Sequence, residues 1–411
     1  MNTPDRADVV VVGGGAIGLA IAWQARLRGL EVTLVDPDPG QGASWLAAGM
    51  LAPVSEAHYG EEALLALNLA SARRWPSFAQ ELHEVTGLDL GYRDDGTLVV
   101  AADEDDLRVV MELHRYLVEL GLSAERLQPQ ACRGREPLLA PRIRGGMWVA
   151  GDHQIDNRRL VRALLVACEG AGVVLRKTRG RLVLEGGRAV GVGLEEGERI
   201  RTGAVVVASG WSTPALVGLP PEAHLPVRPV KGQILRLRQT KGAELPTVTV
   251  RGFVRGSSVY LVPRADGELV VGATVEERGV DSTVTAGGVL QLLRDAVDIV
   301  PMVSELELVE ARAGLRPATP DNAPFLGLTA VPGLIAACGH YRNGILLTPI
   351  SADAIAELVA TGQAPDVIEP FAPTRLAAPA LASAATEKLA PTDAPPEPHV
   401  AAPASSAEGP W

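Results

Sequence analysis

The run Gly13-Gly14-Gly15-Ala16-Ile17-Gly18 places Gly13, Gly15 and Gly18 at the spacing of a phosphate-holding loop, and an acid, Asp36, stands where a second strand should end. Each residue type has a task in that arrangement. Gly13 allows a tight turn, Gly15 lets the backbone approach a pyrophosphate, and Gly18 lets a helix lie close on a strand. The helix N-terminus then faces the negative charge, and Asp36 accepts hydrogen bonds from ribose hydroxyls. NAD and FAD are both held this way, so the loop alone leaves the cofactor open. The stretch Ala43-Ser44-Trp45-Leu46-Ala47-Ala48-Gly49-Met50-Leu51-Ala52-Pro53 is rich in small residues. It suits close backbone contact with an extended cofactor, or is simply a flexible loop. Cys132, Cys168 and Cys338 form no CxxC pair, so neither a disulfide framework nor a cysteine metal site is expected.

The elements that must position these residues follow from periodicity. A β-branched run at 9–12, an apolar-periodic segment at 16–28 closed by Gly29, and a β-rich run at 31–35 before Asp36 and Pro37 predict a βαβ unit. The apolar run at 204–207, ending in Ala208-Ser209-Gly210, suits a strand returning beside the first. Helices are expected at 103–120, 157–170 and 349–360, and strands at 97–100 and 181–184. Between 227 and 274 the pattern turns to successive short strands at 232–237, 258–262 and 269–272, which fits an antiparallel sheet. The fold class is α/β plus antiparallel β. From 373 to 411 alanine and proline dominate, and a disordered tail is expected.

The chain has 411 residues, enough for two domains, and 38 Lys plus Arg against 49 Asp plus Glu give a net charge of −11. That sign argues against a nucleic-acid partner. With 47% hydrophobic and 21% charged residues the chain reads as a globular protein. Neither a secretory leader nor a membrane anchor is visible, so a soluble cytoplasmic location is expected.

Six further stretches run in order along the chain: Ala47-Ala48-Gly49-Met50-Leu51, Pro229-Val230-Lys231-Gly232, Tyr260-Leu261-Val262-Pro263-Arg264, Val271-Gly272-Ala273-Thr274, Ala313-Gly314-Leu315-Arg316-Pro317, and Gly339-His340-Tyr341-Arg342-Asn343-Gly344-Ile345-Leu346-Leu347. Together with the glycine loop, and from residue 8 to about 362, they make the sequence resemble the flavin-dependent amine and D-amino-acid oxidase family. The resemblance implies FAD. It also implies a Rossmann-type FAD domain assembled from 1–85, 145–220 and 311–365, with a substrate domain from 86–144 and 221–310 built on a mostly antiparallel sheet. By resemblance Ala16, Ile17, Asp36, Pro37, Ala43, Ser44, Ala48, Gly49, Met50, Gly180, His340, Tyr341, Arg342, Asn343, Gly344, Ile345 and Leu346 contact FAD.

The implied activity is oxidative deamination of glycine and other small amino acids to the imine and then the oxo acid, with oxygen reduced to hydrogen peroxide. The glycine imine would be handed to the enzyme that forms the thiazole of thiamin, and the family leaves room for a homo-oligomer. Such a site must hold a carboxylate, which calls for the planar fork of an arginine. Arg316 matches the family's carboxylate clamp, Tyr260 the phenol that adds a hydrogen bond, and Arg342 a second arginine near substrate and flavin. Hydride transfer from Cα needs no protein base when the amine binds neutral, so none is assigned, and His340 is expected to orient backbone. Related sarcosine oxidases tether FAD through a cysteine shortly before Thr-Pro-Asp. Here Gly314 stands at that position before Thr319-Pro320-Asp321, so the FAD is expected to be non-covalent. Ser258 and Val275 replace a histidine and a methionine frequent in the family, which leaves sarcosine or a small D-amino acid as alternative substrates. A non-catalytic flavin-bound amino-acid sensor is the alternative of another class.

Overall fold

In the computed structural model, which describes residues 6–376, the first strand β1 (Val9–Val12) is buried along its whole length. A strand covered on both faces in a parallel sheet reads as a continuous apolar run, which is why this one shows no alternation. It pairs in parallel with β2 (Val32–Val35) on one side and with Ala204–Val207 on the other, Val9 opposite Val32 and Ala204. The six-stranded sheet runs Phe325–Leu328, Leu334–Cys338, Ala204–Val207, β1, β2, Val174–Arg176. Helix α1 (Ala16–Leu27) packs on it together with Asn157–Ala171 and Thr348–Thr361. A Cβ on Gly18 would run into the carbonyl oxygen of Gly13, so the close seating of α1 depends on that missing atom.

The larger sheet has eight strands: Glu307–Ala318, Arg228–Arg238, Glu268–Gly272, Ser257–Pro263, Thr249–Val254, Thr97–Ala101, Gly145–Val149 and Glu125–Leu127. It is antiparallel except where Thr97–Ala101 meets Thr249–Val254. Helices Glu104–Glu119 and Ala286–Ile299 cover it. The expected strands and helices thus exist, with ends moved by a residue or a few. Two long helices escape the sequence pattern, as do the short ones Ala43–Leu46 and Pro129–Arg135. Glu62–Thr86 carries Pro76 in its interior, a residue that reads as a break, and is held by burial of Trp75, Phe78 and Leu82. Ala286–Ile299 opens with Gly287 and Gly288, and a Cβ on Gly288 would collide with the Gln233 amide.

Two boundaries differ from expectation. Gly145–Val149, grouped above with the FAD segments, hydrogen-bonds into the eight-stranded sheet, and Glu307–Ala318 crosses the border drawn at 311. The start of the expected tail is also corrected. Pro373 is buried, and Arg375 bonds both oxygens of Asp321 at 2.8 and 3.0 Å and lies 4.4 Å from the Phe325 ring centre. Residues 377–411, where the rest of that expectation falls, lie outside the described residues. Among the described residues no helix is long and apolar enough to cross a membrane, and no cluster of His, Cys, Asp and Glu could hold a metal ion.

Candidate active site

A cavity of about 1230 Å³ extends from the glycine loop to the eight-stranded sheet. At the loop end its wall is largely backbone. Gly13 has φ +114°, and a Cβ there would strike the Ala208 carbonyl. Gly14 donates its N–H to Asp36 at 2.7 Å, and the other Asp36 oxygen accepts the Asp38 N–H at 2.8 Å. Asp36 therefore pins the loop as well as facing the cavity. The short helix Ala43–Leu46 is fixed from two sides: Ser44 Oγ accepts the Ala16 N–H at 3.0 Å, and Asn157 Nδ2 donates to the Ser44 and Trp45 carbonyls at 2.8 and 2.9 Å.

Arg264 joins this stretch to the larger sheet. Its guanidinium is buried and donates to the Ala48 carbonyl and, at 2.8 Å, to Gln154 Oε1. Burial pushes its pKa down to about 10, so it stays charged. The sequence marked Arg264 only as part of a motif; its task is to hold the backbone of the small-residue stretch.

At the other end the wall is made of side chains. Val230 lies opposite Arg316 and Gly232 opposite Gly314 in the longest strand pair. A Cβ on Gly232 would occupy the Arg316 guanidinium, and one on Gly272 would occupy the Tyr260 ring. The glycines of Pro-Val-Lys-Gly and Val-Gly-Ala-Thr are thus the floor on which these two side chains lie flat. Arg316 Nη1 donates to the Thr274 carbonyl at 3.1 Å and, at the limit of hydrogen bonding, to the Lys231 carbonyl at 3.5 Å, and has no carboxylate partner among the described residues. Burial pushes the Tyr260 phenol up, with the Arg316 guanidinium acting in the opposite sense, so it remains a protonated donor. Arg342 is different: its Nη2 donates to Glu61 Oε2 at 2.6 Å, and its buried Nε has no partner among the described residues.

Of the expected contacts, Gly13, Gly15, Ile17, Asp36, Pro37, Ala43, Ser44, Ala48, Gly49, Met50, Gly180, His340, Tyr341, Arg342, Gly344 and Ile345 line the cavity, as do Tyr260 and Arg316. Ala16, Gly18, Asn343 and Leu346 stand behind the wall. The Leu346 carbonyl is taken by Ser71 Oγ at 2.6 Å and Trp75 Nε1 at 2.8 Å. His340 Nε2 meets Ser351 Oγ at 3.1 Å, and burial pushes its pKa down to about 3, which keeps the imidazole neutral. Ser258 and Val275 line the cavity. The sequence reading missed Glu56, His58 and Arg251, which also line it. No local spacing marks them, because 251 reaches 55 and 56 only through the tertiary fold. Arg251 donates to the Ser55 carbonyl and lies 3.9 Å from Glu56.

These features define a dinucleotide-binding enzyme whose cavity ends in an arginine without a carboxylate partner among the described residues. The family model described as FAD dependent oxidoreductase matches residues 8–358, and the chain belongs to that family; its cofactor is FAD. It is 34% identical over 374 residues to glycine oxidase of Geobacillus kaustophilus, covering 90% of this chain and 97% of that enzyme. The crystal structure of glycine oxidase from Geobacillus kaustophilus superposes with a TM-score of 0.82, covering 90% of this chain and 99% of that one. The bifunctional protein ThiO/ThiG of Nostoc sp. (strain PCC 7120) is 36% identical over 368 residues, 89% of this chain. The chain spans about half of that relative's length, 54%. The residues present fit FAD: the Gly13 turn, the Asp36 carboxylate and the close-packed 43–50 stretch border one cavity that also reaches the 339–345 segment.

Proposed function

We propose that the protein oxidises glycine and other small amino acids, releasing the imine, which water converts to the oxo acid and ammonium. FAD, when bound, supplies the two-electron acceptor. The observation that carries this reading is Arg316, a guanidinium without a carboxylate partner among the described residues, lying beside a protonated Tyr260 at the end of the cavity away from the dinucleotide loop. Arg316 holds the substrate carboxylate bidentately and Tyr260 donates to the same group. That grip fixes Cα, whose hydrogen leaves with its electron pair while the amine nitrogen loses a proton. Oxygen takes up the two electrons and becomes hydrogen peroxide. His340, neutral and bonded to Ser351, orients the 340–344 turn and moves no proton.

The FAD contacts are those named above that line the cavity, in a portion formed by the six-stranded sheet, with the eight-stranded sheet carrying the substrate groups. Cys338 also lines the cavity, but burial pushes its thiol up to about 12, which leaves almost no thiolate and supports a non-covalent flavin. The likeness to ThiO/ThiG supports a role in thiamin biosynthesis, the imine passing to a thiazole-forming enzyme. Ser258 and Val275, which line the pocket, leave sarcosine or a small D-amino acid as a second reading. Anaerobic titration tests both. Glycine should bleach the flavin absorbance, at lower concentrations than sarcosine or D-alanine; a spectrum that shifts but bleaches with none of the three would make the protein a binder and sink the proposal.

A further inference from the structure

Three arginines line the cavity on the side of the eight-stranded sheet and the 339–345 segment: Arg251, Arg316 and Arg342. Their partners differ. Arg251 has Glu56 at 3.9 Å. Arg342 bonds Glu61 at 2.6 Å, both side chains mostly buried, at 21% and 15% exposure. Arg316 has only carbonyls. His58 adds no charge, because burial, together with Arg342 and Arg251, pushes its pKa down. Two of the three positive charges are therefore cancelled by the chain itself, and one is left for a ligand.

Glu61 is built into its position. It stands at the start of the helix Glu62–Thr86, and its second oxygen accepts from Asn322 Nδ2 at 2.9 Å. Neither contact serves the six-stranded sheet or the dinucleotide loop.

We infer that Glu61, by pairing with Arg342, sets the charge selectivity of the substrate end: with one unpaired guanidinium the site accepts an amino acid bearing one carboxylate and rejects one bearing two. The inference rests on the reading of Arg316 as the carboxylate holder. Glu61 touches neither substrate nor cofactor in this reading and is a positioning residue acting through Arg342. A second carboxylate brought to this end would meet Glu56 and Glu61 without a free cation to offset them. Removing the Glu61 charge releases Arg342 as a second anion site.

The test compares two unreactive ether acids of matching shape on the FAD-loaded protein, methoxyacetate with one carboxylate and diglycolate with two, by calorimetric titration. Wild type should bind methoxyacetate more tightly. Glu61→Gln should move the ratio of the two dissociation constants toward diglycolate by about tenfold to a hundredfold, the scale of one unit charge a few ångströms away in a partly buried site. It should also gain turnover of iminodiacetate, which is glycine with a second carboxymethyl arm. Glu61→Asp keeps the charge and should keep the wild-type ratio within about threefold, which a merely structural role would not require. Arg342→Met leaves Glu61 unpaired and should move the ratio the opposite way. It decides the matter if Glu61→Gln does not fold.

An unchanged ratio in Glu61→Gln or Arg342→Met, or a shift in Glu61→Asp as large as in Glu61→Gln, overturns the inference while leaving glycine oxidation standing. Wild type that binds neither acid and does not oxidise glycine overturns the proposed function, and the inference with it.

Discussion

The two ends of the cavity are built from different material. At the glycine loop the wall is backbone, and what matters is atoms that are absent: a Cβ at Gly13 would meet the Ala208 carbonyl, and one at Gly18 the Gly13 carbonyl. At the arginine end the wall is side chains, laid on glycines of neighbouring strands. A backbone site fails all at once when a side chain is added, because carbonyls cannot step aside. A side-chain site fails by degrees, since each group contributes its own share of affinity and can be exchanged singly. The first kind of construction suits a cofactor shared by many enzymes, and the second suits a substrate that differs among them.

The sharpest way to break this contrast is Gly13→Val. The substitution adds a β-branched side chain at a positive φ and against a carbonyl, so strain and overpacking act together. The purified variant should retain less than about a tenth of the wild-type flavin and lose more than about 3 kcal/mol of stability. Flavin content per chain and a melt check this; full flavin in the variant would mean that the loop tolerates what its geometry forbids.

Arg316→Ala should instead leave the flavin in place and act on the substrate alone. Removing one partner of a charge-assisted, partly buried pair costs about 2 to 5 kcal/mol, so kcat/KM for glycine should fall by roughly thirtyfold to several thousandfold. Arg316→Lys should recover only part, because a point charge lacks the fork. Steady-state kinetics with the visible spectrum recorded alongside would show it. Wild-type kcat/KM in both flavin-bound variants would place the clamp elsewhere.

His340 sharpens the contrast further, because it sits at the cavity yet is expected to work on the backbone. Its pKa in the folded protein is pushed down to about 3 by burial, below the unfolded value of 6.5. On acidification the unfolded chain takes up the proton first, so the neutral imidazole's contribution is complete above pH 6.5 and is lost as pH falls toward 3. The slope is about 1.4 kcal/mol per pH unit, or about 2 kcal/mol between pH 6.5 and 5. His340→Gln should therefore melt less steeply with acid than wild type while keeping the pH profile of kcat above pH 6. Parallel acid limbs in the two proteins would count against the assignment.

The same difference in material explains what the sequence could and could not disclose. The loop end is local: Gly13, Gly15, Gly18 and Asp36 fall within one βαβ unit, and the spacing carries the chemistry by itself. Parallel return of Ala204–Val207 beside β1 was also legible, from an apolar run of matching length. The arginine end is assembled from residues near 56, 61, 251, 260, 316 and 342, and no spacing relates them. Arg316 and Tyr260 were visible only through family motifs. Glu56, His58, Glu61 and Arg251 lie outside every motif and reach the site through the fold; Arg264 stands in a motif, but its bond to the Ala48 carbonyl, which ties the small-residue stretch to the eight-stranded sheet, is likewise made only by the fold. The helix Glu62–Thr86 was hidden because Pro76 breaks the local pattern, and tertiary burial of its apolar face overrides that signal.

The smallest expected effect lies outside both ends. Arg375 sits on the far C-terminal side of the described chain, where it bonds both oxygens of Asp321, lines no part of the cavity, and donates to the Ala323 and Phe371 carbonyls at 2.8 and 2.9 Å. Its side chain is 16% exposed and that of Asp321 36%, so solvent and salt screen the pair in part. Arg375→Ala leaves Asp321 without its counter-ion and removes the guanidinium from the face of Phe325, but the carbonyls it served can turn to water. The loss should be about 1 kcal/mol, which in a chain of this size lowers Tm by roughly 2 °C. Because screening acts on this pair, the gap to wild type should narrow in 1 M sodium chloride. Neither flavin content nor kcat/KM for glycine should move, since Asp321, Phe325 and the two carbonyls border neither the loop nor the arginines. A change in either quantity would show that this segment is coupled to the cavity, and the division between a rigid backbone end, a graded side-chain end and an independent periphery would have to be redrawn.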